Sequence, residues 1–478
     1  IITMLCQLIQ RGEMLVIGCK ELTKSCTMCS ILFTNKKIKE FEKTNYFMKF
    51  RGPDETKIIE DESNGFTFIH NLLSITGDFT PQPFIEDGIV FLFNGEIYNF
   101  RDFGDYSSDG YCIIDLYKQY GVEFVKKLDG EFSLFLMDLN EDLAVIATDP
   151  FKTKPLFYSN NKDEFGCATY RTSLDNIGHT NVKKMKPNTC FVFRASTYEK
   201  IDEFTIVDFD LNQHKENFDD WITSFEDSIR KRTSNTDKKI FMGLSSGYDS
   251  GAIACELLKQ NVSFKAYSVV GRGTWKNIED MNVLNYRHDM INKSENAEVQ
   301  NLYKSVDVRE FHRNFIKEHS EDFKWTINTS ASGYTENWSL CDDRGAAWIS
   351  LICNEAIGEG RKIYLSGQGA DEIFADYGFN GMRFAQHSNF GGKFPEDLSS
   401  IFPWNSFYHS SQESYIAKEE YTSGIYGIET RYPFLDKNVV QEFLWLKPEL
   451  KNSQYKSVID NYFMRNNFSF SRGKKIGF

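Results

Sequence analysis

"KKIFMGLSSGYDSGAIACELLKQ", residues 238–260, reads as a short apolar strand, a loop of small polar residues and a helix. A second stretch, "RKIYLSGQGADEIFADYGF" at 361–379, repeats the order. Strand, glycine loop and helix in succession predict an open parallel α/β sheet. In Ser245, Ser246, Gly247, Tyr248, Asp249 and Ser250 the small residues admit close backbone approach, and the helix start offers unpaired N–H groups to an anion. A pyrophosphate fits there, with Asp249 holding a magnesium ion; a turn that only caps the helix is the alternative. Ser366, Gly367, Gln368, Gly369, Ala370, Asp371 and Glu372 form the second loop, at the carboxyl end of a strand, where open α/β sheets bind ligands.

Upstream, short apolar and aromatic runs alternate with Gly, Asn and Asp turns: "GFTFIHNLLSI", "GIVFLFNGEIYNF", "EFSLFLMDLNEDLAVIATD" and "TCFVFRAS". They predict strands of five to eight residues in a sheet-rich domain ending near 205, with a helix over "YCIIDLYKQYGVEFVKKL". The polar "DFDLNQHKENFDDW" reads as a linker. With 478 residues the protein is too long for one core and fits two domains. A formal charge of −13 argues against a nucleic-acid or anionic-membrane binder, which needs a basic surface. Ten cysteines without a regular framework suggest a reducing cytosol. No run is apolar for long enough to span a bilayer, and Arg11 and Glu13 interrupt the most apolar early stretch.

"CTMCSIL" at 26–32 places Cys26 and Cys29 at C-x-x-C spacing, a redox pair or half of a metal site, although no second pair follows at suitable spacing.

The set "SSGYDS", "LSGQGADEIFADY", "GIETRYPFLD" and "RGKKIGF" resembles the synthetase domain of glutamine-dependent asparagine synthetases. Likewise "MCSI", "RGPDET", "HNLLSI", "QP", "NGEIYNF", "SSDG" and "DPFKTKPLFY", in order from 28 to 158, resemble the class II glutamine amidotransferase domain. The resemblance implies two domains, α/β and α+β. An N-terminal-nucleophile hydrolase αββα sandwich over 29–205 is followed by a linker over 206–220. From 221 to 478 an open parallel α/β sheet of the ATP-pyrophosphatase (adenine nucleotide alpha hydrolase-like) type is expected.

It also implies the chemistry. A carboxylate attacks the α-phosphate of ATP, pyrophosphate leaves, and ammonia displaces AMP from the acyl-adenylate. ATP and Mg2+ are the implied cofactors. Leu244 and Val270 border the adenine; Ser245, Ser246, Gly247, Asp249, Ser250, Ser366, Gly367, Gln368 and Gly369 hold the phosphates; Asp249 and Asp371 are candidate magnesium ligands. Arg344 in "CDDRGAAW" and Lys456 in "QYKSVID" match cations that stabilise the leaving pyrophosphate. In the amidotransferase half Cys29 is the nucleophile, its free α-amine the general base once Met28 is removed. Residues 1–28 are then expected to be an upstream or non-native extension, with a removable propeptide as the alternative; in either case Cys29 must become terminal. Asn94 and the N–H of Gly95 supply the oxyanion donors, while Glu96 and Asp109 bind the α-amino group of glutamine; "NGE" is also a good hairpin turn.

Five departures from the family pattern stand out. Leu72 occupies the place of an arginine that pairs with the carboxylate of glutamine, so Arg51 or another cation must compensate. Ser246 replaces a loop glycine. Gln368 replaces a glutamate and cannot act as a base. Cys341, Asp342 and Asp343 stand where threonines are usual; two carboxylates there repel an aspartate unless magnesium or a cationic acceptor sits between, and facing solvent is the alternative. The sequence stops at Phe478, as a compact or a truncated form. The expected activity is glutamine-hydrolysing synthesis of asparagine from aspartate. Amidation of a sugar acid or peptide carboxylate, ammonia-dependent synthesis, and a catalytically idle nucleotide binder are the alternatives. Expected partners are small molecules in the cytoplasm, with no nucleic acid or membrane; a homodimer is left open.

Overall fold

A computed structural model describes residues 29–271, 279–329 and 334–476. The proposed extension 1–28, with Met28, Cys26 and the C-x-x-C partner, lies outside the described residues, as does the end of the "RGKKIGF" motif.

Alternating apolar residues build two six-stranded antiparallel sheets. The first runs Lys183–Lys184, Phe157–Asn161, Glu164–Ala168, Ser30–Thr34, Phe66–Leu72, Glu55–Asp61. In the second the order is Lys200–Thr205, Thr189–Arg194, Leu143–Thr148, Gly130–Asp138, Ile89–Ile97, Phe84–Glu86. Their facing surfaces share a core of Ile31, Phe33, Phe68, Leu92, Phe135 and Phe165, in which Phe33 stacks on Phe135 with ring centroids 4.4 Å apart. Helix Cys112–Tyr120 covers the outer face of the second sheet and helix Arg171–Ile177 that of the first, which makes the αββα sandwich. Two strands, Ile89–Ile97 and Gly130–Asp138, run to nine residues, longer than their sequence predicts, because they pair with each other along their whole length.

The helix expected over 111–128 stops at Tyr120. Gly121 turns with φ +57° and a 3-10 helix follows over Gly121–Lys127. Residues 207–217 carry no helix or strand, and the next element is helix Asp219–Ser234.

The third sheet is parallel throughout, in the order Ala297–Tyr303, Phe264–Val270, Lys239–Gly243, Arg361–Leu365, Glu429–Arg431. From Lys239–Gly243 the backbone moves one strand to one side, through Phe264–Val270, and later returns on the other side as Arg361–Leu365. Between those strands the order reverses, and the crevice outside their carboxyl ends is where the two glycine loops emerge. The second loop is followed by a helix shorter than "IFADYGF" predicts, Ala370–Phe374. It ends because Asp376 takes φ +43° and accepts hydrogen bonds from the backbone N–H groups of Asn389 and Phe390. Cys29, Leu73 and Phe151 share one hydrophobic cluster with Ile240, Leu365 and Tyr432, so the sandwich and the parallel sheet pack on a common core. Among the described residues no helix is long and apolar enough to cross a membrane.

Candidate active sites

Cys29 immediately precedes strand Ser30–Thr34, and its Sγ accepts a hydrogen bond from the N–H of Leu73 at 3.2 Å. Burial, reinforced by Glu429, Glu96 and Asp109, pushes the thiol well above its ordinary range, so a base must take its proton as it attacks. Gly95 lines the same pocket with φ +135°; a Cβ there would lie 1.9 Å from the carbonyl oxygen of Glu131, so only glycine fits. Its neighbour Asn94 is buried, and its Nδ2 has no hydrogen-bond partner among the described residues. An unpaired buried amide donor costs stability unless a ligand uses it.

Glu96 accepts from Thr76 Oγ1 at 2.5 Å, and Asp109 accepts from the N–H of Ile97 at 2.9 Å. Burial raises both, with Glu429 adding to each: Glu96 well above the carboxylate range and Asp109 to about 7. An ammonium group between them would restore their charge.

Arg51 is placed elsewhere. Fully buried, it donates to the carbonyl of Cys29 at 3.2 Å, to the carbonyl of Glu420 at 2.9 Å and to the Glu420 carboxylate at 2.8 Å. It does not line the pocket, so it braces the backbone of Cys29 and does not compensate for Leu72.

At the second site the two loops meet. A Cβ on Gly367 would lie 2.8 Å from Cβ of Asp249. Gly247 caps helix Tyr248–Lys259, and its N–H donates to Ser245 Oγ at 3.1 Å; Ser250 Oγ accepts from the N–H of Ser245 at 3.0 Å. Ser246, which stands in the place of a glycine, donates from both its N–H and its hydroxyl to Glu279, at 2.6 and 2.5 Å. Gly369 takes φ +97° under Leu435, where any larger residue would clash. Leu244, just past the end of one strand, and Val270, the last residue of its neighbour, are buried.

Lys456 lies between the loops, its Nζ 2.5 Å from Asp249 and 2.9 Å from Asp371. Lys475 also pairs with Asp371, and Tyr455 donates to it at 2.8 Å. Against the opposing effect of burial, the two lysines hold Asp371 well below the carboxylate range; at Asp249 burial outweighs Lys456 and the pKa rises. Arg344, the first residue of helix Arg344–Gly358, is exposed and makes no ion pair among the described residues, so it is not drawn into this cluster. Two functional residues escaped the sequence reading. Arg287 donates to the carbonyls of Ser245 and Gly247 at 2.6 and 2.7 Å and fixes the first loop. Lys475 carried a signal in the quoted "RGKKIGF" but no assigned role.

Two hard carboxylates facing each other suit Mg2+ when phosphate oxygens complete its shell. The described protein groups alone do not enclose a metal, since no cluster of three or more His, Cys, Asp or Glu is arranged for one.

Beyond the second loop Gln368 donates from Nε2 to Glu372 at 2.9 Å, and Tyr377 donates to the same oxygen. Burial, with Asp371 nearby, raises Glu372 to about 7. Asp342 is taken up by Arg313 at 2.6 Å and by the Ser339 hydroxyl, and Asp343 caps a helix while lying 3.6 Å from Lys418. The expected repulsion of an acidic substrate by free carboxylates is therefore removed.

Comparison with known proteins follows the same division. The family "Glutamine amidotransferase domain" matches residues 25–205, and the family "Asparagine synthase" matches residues 221–409. An asparagine synthetase [glutamine-hydrolyzing] 2 of Bacillus subtilis is 24% identical, over 90% of this protein and 68% of its own length. Asparagine synthetase [glutamine-hydrolyzing] 1 of Saccharomyces cerevisiae is 25% identical, over 88% and 76%.

Proposed function

The protein belongs to the glutamine-dependent asparagine synthetase family of ATP-using ligases, and from that premise we propose that it converts aspartate, glutamine and ATP to asparagine, glutamate, AMP and pyrophosphate. The observation that carries this is Lys456, held between Asp249 and Asp371 where the two glycine loops meet. A fixed cation at that point meets the charge that grows on a departing pyrophosphate.

In the proposed mechanism Cys29 Sγ attacks the carboxamide carbon of glutamine. The oxyanion receives hydrogen bonds from Asn94 Nδ2 and the N–H of Gly95, ammonia leaves, and water hydrolyses the thioester to glutamate. The base is the α-amine of Cys29 once that residue is amino-terminal. At the crevice an acceptor carboxylate oxygen attacks the α-phosphorus while Lys456 and Lys475 offset the charge of the leaving pyrophosphate. Mg2+, held by Asp249 and Asp371 with the phosphates, would neutralise that charge further. Ammonia then attacks the acyl carbon and AMP departs. Gln368 has no basic group, so Glu372, raised to about 7, is suited to accept the proton that the nitrogen loses.

Residues 29–205 form the proposed glutaminase unit, 206–220 the linker and 221–478 the synthetase unit. A cytoplasmic location is supported by seven free thiols among the described residues; assembly as a homodimer is part of the same proposal. The Gln368–Glu372 pair, in place of the expected glutamate at 368, favours a second reading in which another carboxylate is the acceptor.

Protein translated from Met28, supplied with amide-15N glutamine, magnesium-ATP and aspartate, should yield labelled asparagine with stoichiometric AMP by mass spectrometry. Label confined to ammonia would move the acceptor to another carboxylate; AMP formed with ammonium but not with glutamine would remove the glutaminase step.

A further inference from the structure

The thiol pocket is one-sided in charge. Leu72, Asp78, Glu96 and Asp109 line it together with Cys29 and Gly95, and among the described residues no lysine or arginine does. Leu72 is itself buried and forms an apolar wall of this pocket. The nearby cations stand outside the pocket lining. Arg51 lies behind Cys29 in its pair with Glu420. Arg431 does not line the pocket; its Nε is held by Glu429 at 2.6 Å and its Nη2 faces Glu96 at 3.4 Å.

Free glutamine brings one ammonium and one carboxylate. The ammonium has Glu96 and Asp109 to meet it. The carboxylate would be desolvated beside two buried acids, Glu96 and Asp109, with the exposed Asp78 at the rim and no cation in the lining, an arrangement that disfavours binding. Turning the carboxylate into an amide removes that charge, and the neutral group packs against Leu72 while the hydroxyl groups of Ser74 and Thr76 remain at the wall of the pocket.

We propose that the Cys29 pocket selects a glutamine whose α-amine is free but whose α-carboxylate is blocked as an amide, as in the amino-terminal residue of a peptide. The proposal rests on reading this pocket as a glutaminase. Bond changes are those of ordinary hydrolysis: the C–N bond of the γ-carboxamide breaks, a thioester to Cys29 forms and is cleaved by water, ammonia leaves, and the blocked α-carboxyl is untouched.

Ammonia release from L-glutaminamide and from L-glutamine tests this in the protein translated from Met28, with Leu72→Arg alongside. The unsubstituted protein should favour L-glutaminamide in kcat/KM by about tenfold or more, the equivalent of one buried unpaired charge at its mildest. Leu72→Arg should reverse the order by supplying the missing cation. A preference of the unsubstituted protein for free glutamine overturns the proposal without any variant. So does an unchanged donor ratio in a folded Leu72→Arg protein. Release from neither donor, in a protein shown by mass to begin at Cys29, overturns the glutaminase reading itself.

Discussion

Arg431 reaches across from the edge strand of the parallel sheet to Glu96 of the thiol pocket, 3.4 Å from its carboxylate. The carbonyl of the same arginine accepts the N–H of Ser366, the first residue of the second glycine loop, at 3.0 Å. One residue therefore touches both proposed chemistries. Its guanidinium also separates Glu96 from Glu429, two buried acids that would otherwise repel.

Replacing Arg431 tests that link. Arg431→Ala leaves two carboxylates unpaired in the interior and should cost about 3–5 kcal/mol in denaturant unfolding. Arg431→Lys keeps the charge and loses the fork. It should depress amide-dependent synthesis more than ammonium-dependent synthesis, which isolates the link from a general loss of stability.

Cys29→Ala should abolish amide-dependent product while ammonium-dependent product persists, because the crevice does not use the thiol. Asn94→Ala removes one of two oxyanion donors and should lower kcat for amide hydrolysis by about 10²–10³ with little change in KM. Steady-state kinetics with both nitrogen donors separates the two effects.

At the crevice, Lys456→Ala should slow pyrophosphate release by about 10²–10³, since a fixed cation is lost from the leaving group. The same change leaves Asp249 and Asp371 facing each other with one lysine fewer. Mg2+ should then raise the melting temperature of Lys456→Ala more than that of the parent, because a divalent cation takes up the exposed charge. Equal shifts in the two proteins would count against those carboxylates as the metal position.

Much of this was legible in residues 238–260 and 361–379, because small residues between an apolar strand and a helix leave few structures open. A sheet-rich domain was visible in the turn spacing and the αββα sandwich followed from the family resemblance, whereas strand lengths were set by pairing partners far away in sequence. The role of Arg51 could not be read, since its partner Glu420 is remote in sequence and only packing of the two halves brings them together. The same holds for Arg287, whose contacts are backbone carbonyls that leave no trace in composition. The short helix after Ala370 was missed because Asp376 ends it with a side-chain network to residues 388–390 that local propensity does not encode.

Gln368→Glu would put a second carboxylate at the position from which Gln368 now donates to Glu372 at 2.9 Å. Two acids that close share a proton, and their upper pKa rises. If Glu372 takes the proton from the attacking nitrogen, the acid limb of the ammonium-dependent pH profile should move to higher pH by about one unit or more. An unmoved limb would show that neither acid is the base.

Glu419 offers a pH test that needs no substrate. It is buried, its Oε2 has no hydrogen-bond partner among the described residues, and burial raises it to about 7. In the unfolded state glutamate ionises near about 4.3. Between those values the native protein keeps a proton that the unfolded state has lost. The contribution is thus fully present below about pH 4 and fades as pH rises to about 7. Glu419→Gln cannot ionise and should escape that loss. Relative to the parent it should match near pH 4.5 and gain up to roughly 3 kcal/mol at pH 8, read from urea unfolding at both pH values. Glu372 and Asp109 give the parent a slope of the same sign, but they are present in both proteins and cancel in the difference. Parallel curves from pH 4.5 to 8 would mean that Glu419 is solvated or paired in the native state.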